Sequence, residues 1–250
     1  MKIVGVIQAR TGSTRLPGKM LYPLDGEPVI GHIIQRSLCA ETLDEVVVAT
    51  SNRESDAVIV DVAQNRGVPV YRGDEADVLS RMLTAAEKHE ADIVVRICGD
   101  NPLLSPRCID VVVTRLVNTG TDYVSNNLKQ TFPTGLDTEA LTMESFRHVD
   151  SVAEEPRLRE HATLWYKMNK DELSLENVEV SEVFPDQKLL SNPDLRLTLD
   201  RVDDYRLLQR VYDQLSRDER GIIDVVEAVN QINENNLSNL NKHIEQHEPK

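Results

Sequence analysis

Between Ile7 and Met20 the chain reads IQARTGSTRLPGKM, so Arg10, Arg15 and Lys19 are threaded through Gly12, Ser13, Thr14 and Gly18. Cations interleaved with hydroxyls and glycines meet the needs of an extended anion: charge-assisted donors, short side-chain donors, and backbone able to come close. A triphosphate fits that description. The apolar run Ile3 to Ile7 just before this stretch predicts a buried strand, and open α/β sheets bind ligands at the carboxyl ends of their strands. Two familiar phosphate motifs are absent. Met20 stands where a P-loop requires Ser or Thr after its lysine, and no G-x-G-x-x-G follows the first strand. An ordinary basic surface loop is the alternative reading.

Carboxylates of complementary chemistry lie farther along. The segment Arg96-Ile97-Cys98-Gly99-Asp100-Asn101-Pro102-Leu103 ends a predicted strand with Gly and Asp and then turns at a proline. Asp100 is thereby presented at the strand ends that also hold the first loop, where it can meet Arg10, Ser13 and Lys19 across one cleft. Asp200 closes the sequence RLTLD in the same manner. A pair of such aspartates, with phosphate oxygens and water, forms the octahedral oxygen site that Mg2+ prefers. Asp is equally favoured as a turn or helix cap, which is the other reading of Asp100. Asp203 and Asp204 read as acids that complement the dipole in the first turn of a helix.

The 250 residues carry 28 basic and 42 acidic side chains, a net charge of -14. That balance argues against a general affinity for nucleic acid or for an anionic membrane surface, so the cationic loop must draw its anion locally. No run of about 18 apolar residues occurs and the N-terminus does not read as a leader, which gives the expectation of a soluble, cytoplasmic protein. Cys39, Cys98 and Cys108 show no C-x-x-C spacing and read as reduced thiols, without zinc or disulfides. No G-x-S-x-G is present, so no serine-triad chemistry is expected.

The elements needed to position these groups follow from periodicity. Strands are predicted at Ile3 to Ile7, Glu45 to Thr50, Pro69 to Arg72 and Ile93 to Ile97, with helices at Val29 to Ala40, Ser55 to Arg66, Asp77 to His89 and Pro106 to Asn118. This alternation describes an α/β fold with a doubly wound, mostly parallel sheet. Short strands at Asp122 to Val124 and Thr134 to Leu141 precede a helix at Met143 to Val149. A strand at Arg196 to Leu199 then leads to helices at Asp203 to Ser216 and Ile222 to Glu234. One domain is expected over residues 1–235, with a polar, flexible tail over 236–250.

The stretch Gln8-Ala9-Arg10 followed by Gly12-Ser13-Thr14-Arg15-Leu16-Pro17-Gly18-Lys19 resembles the N-terminal signature of the cytidylyltransferases that act on acidic sugars, closest to the SpsF-like spore coat polysaccharide proteins. Gly99-Asp100-Asn101-Pro102-Leu103 is similar to their metal-binding G-D-x-P-L. Asp200 to Asp204 resembles their D-T-P-E-D, departing from it at Arg201 and Val202. Phe132 to Glu139 resembles Y-P-x-G-L-D-V-E, Arg159 to Thr163 resembles R-E-H-V-T, and Asp77 to Arg81 matches D-V-L-x-R.

The resemblance implies a nucleotide-diphospho-sugar transferase-like, Rossmann-like sheet, with an inserted acceptor and dimerisation subdomain over about residues 122–180. It implies transfer of CMP from CTP to an acidic sugar, with loss of pyrophosphate, in polysaccharide or surface glycan biosynthesis, by a homodimer. Arg10, Lys19, Asp100 and Asp200 would form the catalytic group, with Mg2+ on the two aspartates. Ala9, Arg10, Gly12, Ser13, Arg15, Lys19 and Arg81 would bind the nucleotide, and Asp137, Arg159 and His161 the sugar. Two other readings compete: a glycosyltransferase that consumes a nucleotide sugar, and a non-catalytic nucleotide-binding protein.

Overall fold

The computed structural model describes residues 1–245. The first apolar run becomes β1 (Ile3–Gln8), followed by a small ribbon of β2 (Pro23–Leu24) and β3 (Glu27–Pro28). The main sheet then adds β4 (Glu45–Ser51), β5 (Val70–Gly73), β6 (Ile93–Cys98), β7 (Tyr123–Ser125), β8 (Glu139–Thr142) and β9 (Leu175–Asn177). Its order is β5-β4-β1-β6-β8-β7-β9. β1 runs parallel to both β4 and β6, and β8 runs antiparallel to β6 and β7. Val4, Val6 and Ile7 are wholly buried, as expected of a parallel strand covered on both faces.

Helices cover the two faces. α1 (Val29–Leu38) and α2 (Ala57–Gln64) are followed by α3 (Val78–Lys88), whose first turn is capped by the Asp77 carboxylate accepting from the Ser80 amide, and by α4 (Pro106–Thr119). α5 (Met143–Val152), α6 (Pro156–Glu160), α7 (Leu164–Met168) and α8 (Val180–Val183) follow, then α9 (Val202–Gln214) and α10 (Val225–Glu234). Ile33, Val112, Leu208 and Val229 pack in one apolar layer, while Leu79, Met82, Phe146 and Tyr166 pack in the other. The middle segment, expected to serve acceptor and subunit contacts, extends the main sheet with β7, β8 and β9.

The chain proceeds from β1 outward to β4 and β5, then returns to the other side of β1 as β6. That reversal places the loops after β1 and β6 side by side, where a doubly wound sheet opens its crevice. Gly99 makes the approach possible. A Cβ there would stand 2.6 Å from the Gln8 carbonyl oxygen, and the Gly99 amide donates to that oxygen at 2.9 Å.

Two expectations are corrected. Arg196 to Leu199 is no strand of the sheet, because it lies between two loops and makes a single parallel bridge, Thr134 to Arg196. It is an extended strap: the Leu197 amide donates to Thr134 (2.7 Å) and the Leu199 amide to the Asp100 carbonyl (2.8 Å). The tail does not begin at 236. Leu237–Leu240 forms a 3-10 turn and Asn241 is buried, donating to the Arg196 carbonyl and to Asp204 at 3.0 Å each. The rest of the predicted tail, 246–250, lies outside the described residues.

Candidate active site

The basic loop is fastened at its base before it reaches any ligand. The Thr11 amide and hydroxyl both donate to Asp56 Oδ1, and the other Asp56 oxygen accepts from Thr50 and from the amide and hydroxyl of Ser51. Burial pushes the Asp56 carboxyl up, but these donors hold it below the ordinary carboxylate range. The Thr11 carbonyl then accepts from Ser13 (2.9 Å) and Gly18 (3.0 Å), closing the loop on itself. Leu16 and Met20 are buried beneath it.

Lys19 leaves this loop and points at the end of β6. Its ammonium donates to Asp100 Oδ2 and to Asp200 Oδ1, each at 2.8 Å, and the Arg15 guanidinium reaches the same Asp200 oxygen at 2.8 Å. The strap delivers Asp200, since the bond from Leu199 to Asp100 fixes one aspartate beside the other. Burial lowers the Lys19 pKa, yet the two carboxylates outweigh it and hold it above its usual value. Burial likewise raises Asp200, which Lys19, Arg15 and Arg196 bring below the ordinary range. Lys19 and Asp200 are therefore both charged at neutral pH.

A cavity opens on each side of the cluster. One, of about 590 Å³, is lined by Ala9, Arg10, Gly12, Ser13, Lys19 and Arg81. The other, of about 920 Å³, is lined by Asp137, Lys167, Lys170, Arg196, Thr198 and Asp200. Arg15, Cys98 and Asp100 belong to both walls. Ligands in the two cavities would meet at Asp100.

A cytidylyltransferase family model matches residues 4–238. The chain belongs to the cytidylyltransferase family. An uncharacterized protein of Methanocaldococcus jannaschii is 35% identical over 249 residues, covering 98% of this chain and 97% of its own. The spore coat polysaccharide biosynthesis protein SpsF of Bacillus subtilis is 30% identical over 215 residues, 84% of this chain and 86% of its own. The 3-deoxy-manno-octulosonate cytidylyltransferase of Syntrophobacter fumaroxidans is 40% identical over 119 residues, 46% of this chain and 47% of its own. Among solved structures, a cytidylyltransferase from Leptospira borgpetersenii superposes with a TM-score of 0.88 at 29% identity, covering 98% of this chain and all of that one. The protein is thus an enzyme, a nucleotidyltransferase, which sets aside the glycosyltransferase and non-catalytic readings.

The remaining expected site residues divide. In this cytidylyltransferase Arg10 lies on the smaller cavity but is engaged by the Glu75 carbonyl (3.1 Å) and by Glu160 (3.2 Å). Arg81 donates to the carbonyls of Asp74 and Glu75, and its Nε faces no partner among the described residues. Burial, then the neighbouring Arg10, lowers its pKa. Asp137, expected to bind the acceptor, lines the larger cavity. His161 instead lines the smaller one, beside the basic loop, and burial lowers its pKa.

Arg159 is a correction: it lines neither cavity. Its guanidinium donates to Asp77 (2.6 Å), to Asp150 (2.7 Å) and to the carbonyls of Asp150 and Ala153. With those donors spent, it braces α6 against α3 and α5.

Sequence reasoning missed three groups that shape the site. Arg196 reaches Asp200 at 3.2 Å and Asp204 through two nitrogens, at 3.0 and 3.1 Å. Its position four residues before Asp200 was the available signal. Asp56 had none, being 45 residues from Thr11. Glu139, 1% exposed, accepts from Arg96, Thr163 and Tyr123, and so ties β6 and β8 to the segment before α7.

Proposed function

We propose that this cytidylyltransferase transfers CMP from CTP to an acidic sugar, with loss of pyrophosphate, in a Mg2+-dependent reaction serving polysaccharide biosynthesis. The observation that carries the reading is the Lys19 ammonium, 2.8 Å from both Asp100 and Asp200 where the two cavities join. CTP would occupy the cavity walled by the basic loop. The sugar would occupy the larger one, where Lys167 and Lys170 suit its carboxylate.

The acceptor hydroxyl attacks the α-phosphorus in line, and charge builds on the phosphate oxygens, so positioning and electrostatics dominate. Arg10, Arg15 and Lys19 neutralise the departing pyrophosphate, and the amides near Gly12 and Ser13 hold the phosphate chain. Asp100 and Asp200 fit a divalent ion, since their oxygens already converge on one cationic centre. Among the described residues no three His, Cys, Asp or Glu side chains form a metal-holding group. Two carboxylates with phosphate and water ligands suit Mg2+ better than zinc. Mg2+ held there would supply electrophilic stabilisation of the α-phosphate. The homodimer that the resemblance implies, and a cytoplasmic location, belong to the same proposal.

The test follows pyrophosphate release from CTP with 3-deoxy-manno-octulosonate and related 3-deoxy sugar acids, in Mg2+ and in EDTA. Release that requires sugar acid, CTP and Mg2+ is expected. Release only with phosphorylated sugars that lack a carboxylate, or with no sugar at all, overturns the reading.

A further inference from the structure

One wall of the larger cavity is built by a close approach of two backbones. Thr134 pairs with the strap through bonds to Leu195 (3.0 Å) and Leu197 (2.7 Å). Gly135 has φ 107°, and a Cβ there would stand 2.5 Å from the Thr198 nitrogen. Only glycine permits this contact. Two residues on, Asp137 therefore lines the same cavity as Asp100 and Asp200.

The carboxylates of this region differ in how fully they are engaged. Asp100 and Asp200 hold Lys19, and Glu139 is committed to Arg96, Thr163 and Tyr123. Asp137 forms no ion pair among the described residues. Among the described residues its oxygens accept only from Asn127 Nδ2 and the Gly135 amide, both at 3.3 Å. It is half-buried, with its carboxylate free to take a further hydrogen bond from a molecule in the cavity.

We propose that Asp137 is the general base of the reaction, a catalytic residue that accepts the proton of the attacking sugar hydroxyl. The assignment rests on the nucleotidyl transfer proposed above. As the sugar O–H bond breaks, its proton passes to the Asp137 carboxylate and the oxygen bonds to the α-phosphorus. The bond from the α-phosphorus to the oxygen bridging to the β-phosphorus breaks, and its electron pair leaves with pyrophosphate.

The surroundings suit that task. Burial pushes the Asp137 carboxyl up, the charge of Glu139 on β8 adds to the effect, and Lys167 on α7 draws it partly back. Cys98 on β6 and Cys108 on α4 also face it, and burial holds both thiols up to about 12, so neither adds charge near neutrality. A carboxylate of raised proton affinity is the better base.

The experiment measures pyrophosphate release from CTP, with the 3-deoxy sugar acids above as acceptor probes, across pH for wild type, Asp137→Asn and Asp137→Glu. Wild-type kcat is expected to fall on the acid side as Asp137 takes up a proton. In Asp137→Asn, kcat should drop by about 10²-fold or more and that acid-side fall should vanish, while CTP affinity and melting temperature hold. Asp137→Glu should recover part of the rate. A wild-type-like kcat in Asp137→Asn, or an unchanged acid limb, overturns the assignment and leaves the transferase reading standing. Wild type inactive with every sugar acid defeats that reading first, and this one with it.

Discussion

Lys19 and Arg196 each span two carboxylates and share Asp200 between them, but their surroundings differ. Lys19 presents one nitrogen to Asp100 and Asp200, and Asp100 is 30% exposed at the junction of two cavities. Arg196 engages Asp204 through two nitrogens, and Asp204 is wholly buried. Asp204 also accepts from the amides of Asp200 and Arg201, and Asn241 closes over it. An ammonium on a flexible stem can exchange partners, whereas a planar guanidinium held on both edges cannot. One cluster is placed to meet ligands; the other holds Asp200 in position for the first.

Breaking the second cluster should produce the largest effect. Asp204→Asn removes a charge while leaving Arg196 buried, and a broken buried pair of this kind costs about 3–5 kcal/mol. Chemical denaturation should show that loss. Asp100→Asn comes next and should behave oppositely: Mg2+-dependent pyrophosphate release falls by about 10²–10³-fold, as for other lost electrostatic stabilisers, with little change in the denaturation midpoint. If Asp100→Asn unfolds as early as Asp204→Asn, the two clusters do not differ in kind.

Lys19→Ala sharpens the contrast at a lower level. A lost charge-assisted hydrogen bond is worth about 1.5–3 kcal/mol, so CTP affinity should fall about 10- to 100-fold, measured by calorimetry, while CMP affinity changes far less. The pH dependence should change as well. Because Asp200 has its folded pKa lowered, its contribution to stability is full above the unfolded carboxylate pKa and is lost as pH falls through the folded value. Without Lys19 that folded value moves up and the acid-side loss of stability becomes shallower. An unaltered acid melting profile would separate Asp200 from Lys19 energetically.

The legible parts of this fold are those whose signal is local. Parallel strands buried on both faces write themselves as continuous apolar runs, so β1, β4 and β6 stand close to where Ile3 to Ile7, Glu45 to Thr50 and Ile93 to Ile97 place them. The meeting of Lys19 with Asp100 was legible for a related reason: residues that follow the ends of β1 and β6 share one edge of the sheet, whereas Asp200 arrives there on the strap and not at a strand end. What escaped depends on partners far away in sequence. Nothing near Thr11 announces Asp56, and nothing near Asn241 announces that it covers Arg196 and Asp204. The strap at Leu195 to Leu199 has the composition of a strand but lies where only loops can bond it, and composition does not encode neighbours.

Arg159 is a third cation between two carboxylates, and the smallest effect belongs to it. Its side chain is 23% exposed, and its partners Asp77 and Asp150 are 30% and 32% exposed, so water screens both pairs. Partly exposed pairs of this sort contribute about 0–1 kcal/mol each. The carbonyls of Asp150 and Ala153 add some rigidity, because the same guanidinium ties the end of α5 to α6. Arg159→Ala should therefore lower the melting temperature slightly and leave the KM for the sugar acid where it is. The decisive measurement is the pair of values together. A raised KM with unchanged melting would mean that Arg159 turns from its brace toward the acceptor when the cavity fills, and the division between holding and ligand-meeting cations would then fail at its most exposed member.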